Sequence, residues 1–167
     1  MYLTEREFLE KIEAHKGIIV KISRIYFEYK DDQEDLFQEI ILQTWKSLAS
    51  FNGKCEFSTW LYRIALNTAI VYFKKDKRRT QNIQEHAFLE LILDEDAREK
   101  ELQLSHFYKA VHQLDNIEKA IILQYIDGLS GDEISKNLGI SPINTRVKLN
   151  RTKKKLQDII KEQGYEF

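Results

Sequence analysis

Proline and cysteine each occur once in this 167-residue chain, and Gly totals 6. Sandwiches and barrels need frequent tight turns, which glycine and proline build, so their scarcity argues against an all-β architecture. Collagen-like and proline-rich classes are excluded on the same ground. The single cysteine, Cys55, excludes an internal disulfide and any cysteine-cluster zinc site. No apolar run approaches the roughly 20 residues needed to span a bilayer. The start, Met1-Tyr2-Leu3-Thr4-Glu5-Arg6-Glu7, is charged at once and lacks the apolar stretch of a signal peptide. An excess of one charge is also missing: 26 Lys+Arg stand against 27 Asp+Glu, a formal net charge of −1. With 43% hydrophobic and 32% charged residues, the balance is that of a globular chain. The expectation is a cytoplasmic, helical protein of one medium domain or two small ones. His15, His86, His106 and His112 share no ligand spacing with each other or with Cys55, and no glycine-rich phosphate loop is present. Neither a metal, a cofactor nor a catalytic centre is therefore expected.

The near-zero net charge conceals blocks. Lys74 to Arg79 reads KKDKRR, and Arg146 to Lys155 carries Arg146, Lys148, Arg151, Lys153, Lys154 and Lys155 with no acid. Between them, Glu85 to Glu101 carries Glu85, Glu90, Asp94, Glu95, Asp96, Glu99 and Glu101 against Arg98 and Lys100. A charge run is ordinarily a solvated face. Two basic runs, each ending a helical pattern, point to a polyanion contacted at two places.

Thr4-x-x-Glu7 is a capping-box pattern ahead of a helical periodicity through Phe8, Ile12, Ile19, Ile22 and Ile25, with Gly17 marking a break between two helices. A second amphipathic helix is expected from about Gln33 to Leu48. Leu36, Ile40, Ile41, Thr44, Trp45 and Leu48 form its apolar stripe, with Asp35, Gln38, Glu39, Gln43 and Lys46 opposite. Ser50 to Glu56 is a loop around the turn dipeptide Asn52-Gly53, and Ser58 or Thr59 can cap the next helix, to about Lys75. On that helix Phe57, Trp60, Leu61, Ile64, Thr68, Val71 and Tyr72 share one side. Arg63, Asn67, Ile70 and Lys74 recur at i, i+4, i+7 and i+11 as a largely polar stripe. The aromatics from Phe51 to Phe73, beside a basic run, suit unstacked bases, although Phe57, Trp60 and Tyr72 fall on the core stripe.

After a polar, acidic stretch, helical patterning returns at Phe107, Val111 and Leu114, then at Ile117, Ile121 and Ile122. Ser130-Gly131-Asp132-Glu133 is a capping box, Gly139 a helix stop, and Ser141-Pro142 a cap followed by proline at the first helical position. This is the layout of a DNA-binding helix-turn-helix. Ile134, Leu138, Ile140 and Val147 are spaced to pack its two helices together. Asn144, Thr145, Arg146 and Lys148 fall on the outward side. Asparagine and arginine suit bidentate base contacts, while lysine and threonine suit phosphates. Arg151 to Lys155 would follow the DNA backbone.

These segments together resemble a known family. The run Asp31 to Glu39 (DDQEDLFQE), Trp45, Phe51-Asn52-Gly53 and Phe57 to Asn67 (FSTWLYRIALN) is similar to conserved region 2 of sigma-70-family factors. Leu114 to Leu156 is similar to region 4. The short length resembles the extracytoplasmic-function (ECF) group. The resemblance implies an all-α chain of two small helical domains joined by an acidic linker: region 2 over 1–79, linker over 80–104, and region 4 helix-turn-helix over 105–167. It implies a promoter-specificity subunit that is not an enzyme. Its partners would be core RNA polymerase (the β′ clamp helices and the β flap), promoter DNA and an anti-sigma factor, with no membrane insertion.

By position, the resemblance gives Asp35, Gln38 and Glu39 to core-polymerase binding. Phe51, Asn52, Lys54 and Glu56 belong to a loop that captures an extruded −10 base. Arg63, Asn67, Lys74, Lys75 and Arg78 belong to the surface facing −10 DNA. Ser141, Asn144, Thr145, Arg146, Lys148, Arg151 and Lys153 belong to the −35 reader. The linker resembles a segment threaded through the polymerase active-site and RNA-exit region. Where the family often has Gly-Thr-Val-Lys-Ser after the capping serine, this chain has Pro142-Ile143-Asn144-Thr145-Arg146, so its base-reading residues are its own. A second reading is a one-component helix-turn-helix regulator with the N-terminal helices as a sensor. Core-polymerase binding separates the two.

Overall fold

The computed structural model describes residues 3–76 and 95–164. Arg78 and residues 80–94 of the expected linker lie outside the described residues. Among the described residues the chain forms seven α-helices and one 3-10 turn. It divides into two compact units, residues 1–83 and 84–167.

In the first unit, α1 (Glu5–Tyr26), α2 (Lys30–Ser47) and α3 (Phe57–Asp76) each pack against the other two. The Thr4 hydroxyl accepts from the Glu7 backbone N–H at 3.3 Å, and the Glu7 carboxylate accepts from the Thr4 N–H at 2.7 Å, completing the anticipated capping box. Gly17 does not break the helix. An internal glycine costs about 1 kcal/mol relative to alanine. The burial of Ile12, Ile19 and Ile22 on both sides of it outweighs that cost. α2 starts three residues earlier than the periodicity indicates, placing Asp31 and Asp32 in its first turn, where carboxylates are favoured by the helix dipole. The Gln33 amide donates to the Phe27 carbonyl at 2.9 Å and fastens the α1–α2 corner. α3 opens at Phe57, so Ser58 and Thr59 lie inside its first turn rather than at the cap.

The buried side of α3 also differs from expectation. It consists of Phe57, Leu61, Tyr62, Ala65, Leu66 and Ala69, while Val71 is exposed. Ala65 and Ala69 admit a close helix approach and take inward positions beside the larger Phe57, Leu61, Tyr62 and Leu66. Trp45 is exposed to 43% and packs edge-on against the Phe8 ring at 5.0 Å.

The second unit contains α4 (Glu95–His112), α5 (Asn116–Ile126), α6 (Gly131–Leu138) and α7 (Pro142–Glu162), with α7 packed against the other three. α4 begins at Glu95, so residues 95–104 of the expected linker are helical. Asp115 and Glu118 form a further capping box at the start of α5, a D-x-x-E signal legible in the sequence but not read there. Ser130 and Glu133 form the anticipated one for α6. Hydrogen bonds from the Ser130 backbone N–H and then its hydroxyl hold the Glu133 carboxyl below its ordinary pKa. A lowered carboxyl pKa adds stability above the unfolded value, and that contribution is lost as pH falls through the folded one. Gly139 sits at φ +67°, the left-handed conformation that ends α6 and that glycine adopts without steric cost. The buried Ser135 hydroxyl donates to the Ile140 carbonyl at 2.7 Å across the same turn.

One buried polar contact ties α6 to α5. Gln124 has no exposed surface, and its amide oxygen accepts from Asn137 Nδ2 at 2.9 Å. Replacing Asn137→Ala leaves that oxygen buried without this donor, a loss of about 1–3 kcal/mol. Urea unfolding of the variant should show a lowered midpoint with an unchanged slope.

Candidate nucleic-acid and polymerase interfaces

α2 separates its residues cleanly. Leu36, Ile40 and Thr44 are buried, whereas Asp35 and Gln38 are exposed and Glu39 is half-buried, its carboxylate accepting from the Gln43 amide at 2.7 Å. Leu42 and Trp45, both exposed, continue the Asp35–Gln38 line at i+7 and i+10. The face is therefore acidic and polar at one end and apolar at the other. Reading Trp45 as core hid this, because a tryptophan can bury one edge and expose the rest.

The loop after α2 is shaped locally. The Asn52 side-chain oxygen accepts from the Lys54 N–H at 3.1 Å, and Gly53 takes φ +72°. Asn52, Lys54, Cys55 and Glu56 are exposed. Phe51 is half-buried, its ring 5.0 Å from Trp60 and 5.7 Å from Phe57. The loop thus stands on an aromatic cluster that also takes in His15, 5.6 Å from Phe57. Beyond it Arg63, Asn67, Lys74 and Lys75 are exposed on α3, so the polar stripe emerges as anticipated.

In the second unit the Ser141 hydroxyl accepts from the Asn144 N–H at 3.2 Å, and Pro142 takes the first helical position. Asn144, Arg146 and Arg151 are exposed, and Lys148 and Lys153 are half-buried. Lys153 Nζ lies 3.7 Å from the Tyr125 ring centroid, and Lys155 donates to Glu118 at 2.7 Å. Thr145 is a correction. It has no exposed surface, and its hydroxyl donates to the Ser141 carbonyl at 3.0 Å, so it belongs to the core face and not to the contact surface. Val147, expected to pack, is 41% exposed, while Leu138 and Ile140 are half-buried. Among the described residues no group of His, Cys, Asp or Glu could hold a metal ion, and no helix is long and apolar enough to cross a membrane.

The first unit matches the family model for sigma-70 region 2 over residues 12–79, and the second that for sigma-70 region 4 over residues 107–156. The ECF RNA polymerase sigma factor SigW of Bacillus subtilis (strain 168) is 28% identical over 169 residues, covering 91% of this chain and 90% of its own. The ECF RNA polymerase sigma-E factor of Haemophilus influenzae is 28% identical over 143 residues, covering 78% and 76%. Among solved structures, the sigma factor RpoE in complex with the anti-sigma factor NepR, from Bartonella quintana, superposes with a TM-score of 0.73 at 22% identity, covering 93% of this chain and 98% of its own. CnrH in complex with the cytosolic domain of CnrY gives 0.67 at 22%, covering 95% and 90%. Those two likenesses concern the fold, and the region models and relatives concern descent. An acid-bearing α2 and a basic helix-turn-helix thus fall within regions 2 and 4 of one lineage, and the chain belongs to the sigma-70 family, in its ECF group, as a promoter-specificity subunit of RNA polymerase.

Proposed function

We propose that the chain divides its work as follows. The Asp35–Gln38–Glu39 side of α2 docks on the β′ clamp helices of core polymerase. The loop Phe51 to Glu56 captures an unstacked −10 base, and the α3 stripe of Arg63, Asn67, Lys74 and Lys75, with Arg78 beyond it, follows the −10 strand. Helix α7 reads the −35 element through Ser141, Asn144, Arg146, Lys148, Arg151 and Lys153, while the second unit rests on the β flap. Residues 1–79 act as region 2 and 105–167 as region 4. Residues 80–104 link them, and their acidic character suits a channel otherwise occupied by nucleic acid. Polymerase supplies all catalysis, and the factor works in the cytoplasm. Because one solved neighbour, the sigma factor RpoE, is in complex with the anti-sigma factor NepR, control by such a partner is part of this reading.

The observation that carries it is the placement of opposite charges on separate exposed faces. Acid-bearing Asp35 stands on α2 of the first unit, and the basic outer side of α7 belongs to the second. Only the second face attracts a phosphate backbone, so binding to polymerase and binding to duplex DNA can be lost separately. Placing like charges opposite each other in an interface costs several kcal/mol. Asp35→Lys should therefore weaken core-polymerase binding by about tenfold or more, while the chain's own affinity for duplex DNA does not fall. Unchanged polymerase binding would favour the one-component regulator instead.

The phosphate-contacting residues can be counted from salt dependence. Each lost cation–phosphate contact lowers the slope of log K against log salt by about 0.9. Lys154→Ala, which removes an exposed cation from the outer face of α7, should produce that change in binding isotherms of the holoenzyme on a −35 duplex.

A further inference from the structure

Helix α7 meets the rest of its unit along Thr145, Thr152, Leu156 and Ile160, all buried. At about 100° per residue, the line directly opposite runs through Ile143, Val147, Asn150 and Lys154. All four are exposed, Ile143 to 78% and Val147 to 41%. Asn144 and Arg151 flank the line on one side and Arg146 on the other, and no acid occurs between Pro142 and Lys155. The outermost ridge of the reading helix is therefore apolar at its N-terminal end and cationic at the other, inside a cationic border.

A scattered exposed aliphatic needs no explanation. Two of them stacked one turn apart on the ridge of a cationic helix do. The border selects a polyanion as the occupant. A helix entering the major groove sets its N-terminal residues against base edges. The apolar group displayed there is the C5 methyl of thymine. Isoleucine and valine are also β-branched and hold one dominant χ1 rotamer in a helix, so little side-chain freedom remains to be lost on contact.

We infer that Ile143 and Val147 are specificity-determining residues that read thymine methyl groups in the −35 element. The contact surface gains these two side chains and loses Thr145. The inference rests on the reading of α7 as the −35 reader and goes beyond it by naming base chemistry at particular positions.

The test uses holoenzyme reconstituted from core polymerase and the full chain. It selects duplexes from a library randomised only across the −35 element. The selected duplex is then remade with deoxyuridine for each thymine in turn, which removes the methyl group and preserves pairing. Thymines should be enriched. The wild-type holoenzyme should lose about fourfold in affinity for each contacted methyl removed, the worth of one buried carbon. Ile143→Ala and Val147→Ala should each become indifferent to the replacement at one position, with the salt dependence of binding unchanged. Both side chains are exposed, so neither change threatens folding. Absence of enriched thymine, equal binding of the deoxyuridine duplex by the wild type, or undiminished discrimination by both variants overturns the inference. If a thymine-independent −35 sequence is selected, only this inference falls. If no −35 sequence is selected at all, the assignment of α7 as reader falls with it.

Discussion

Thr145 and Thr152 lie about two turns apart on α7 and expose nothing to solvent. With Leu156 and Ile160 they hold the helix at one rotation about its own axis. The Thr145 hydroxyl bonds back to the Ser141 carbonyl, and the Ser141 hydroxyl caps the same turn. A rotation of one residue, about 100°, would drive cationic side chains into the core, where unpaired charge is strongly disfavoured. The remaining contacts of the unit secure that rotation. Gly139 sets the turn into α7, Gln124 and Asn137 hold α6 to α5, and Lys155 reaches Glu118 on α5. Which side chains face DNA is thus decided by which ones the core accepts.

Much of what depends on chemistry within a few residues is legible, although Ser58 and Thr59 lie inside α3 rather than at its cap and the Asp115–Glu118 box goes unread. The Thr4–Glu7 and Ser130–Glu133 boxes, the Gly139 stop and the Ser141-Pro142 start all stand where their residue types indicated. So does the polar stripe of Arg63, Asn67 and Lys74, because exposure requires only that no neighbour compete for the position. Readings that depended on what lies across from a helix fared worse. Gly17 reads as a break because propensity is local, whereas the isoleucines beside it are buried by distant helices. Val71 and Val147 read as core because they are apolar, whereas Ala65, Ala69 and Thr145 take those places through small size. On α7 a period of 3.6 with so few large apolar residues leaves the inward face ambiguous. Thr145 is buried and Val147 is exposed, the reverse of the packing expected from their side chains.

The scarcity of net charge also takes on a different meaning. A value of −1 is the sum of blocks placed on different elements. The acid-bearing side of α2 suits a basic protein partner, and the outer side of α7 suits phosphate. On the proposed division of work, opposed charges on separate domains would weaken free association of the whole chain with DNA, and promoter engagement would depend on polymerase covering the acidic surface. The few glycines and the single proline fit the same economy, since long helices place these faces with few turns.

A promoter-specificity subunit gives polymerase its promoter choice rather than acting on DNA alone. Run-off transcription by core polymerase on a library of genomic fragments, with and without the chain, separates the two. Transcripts with defined start sites should arise only when the chain is present and vanish when the −35 element upstream of them is scrambled. Start sites unchanged by the chain, despite its binding to duplex DNA, would show that it does not set promoter choice.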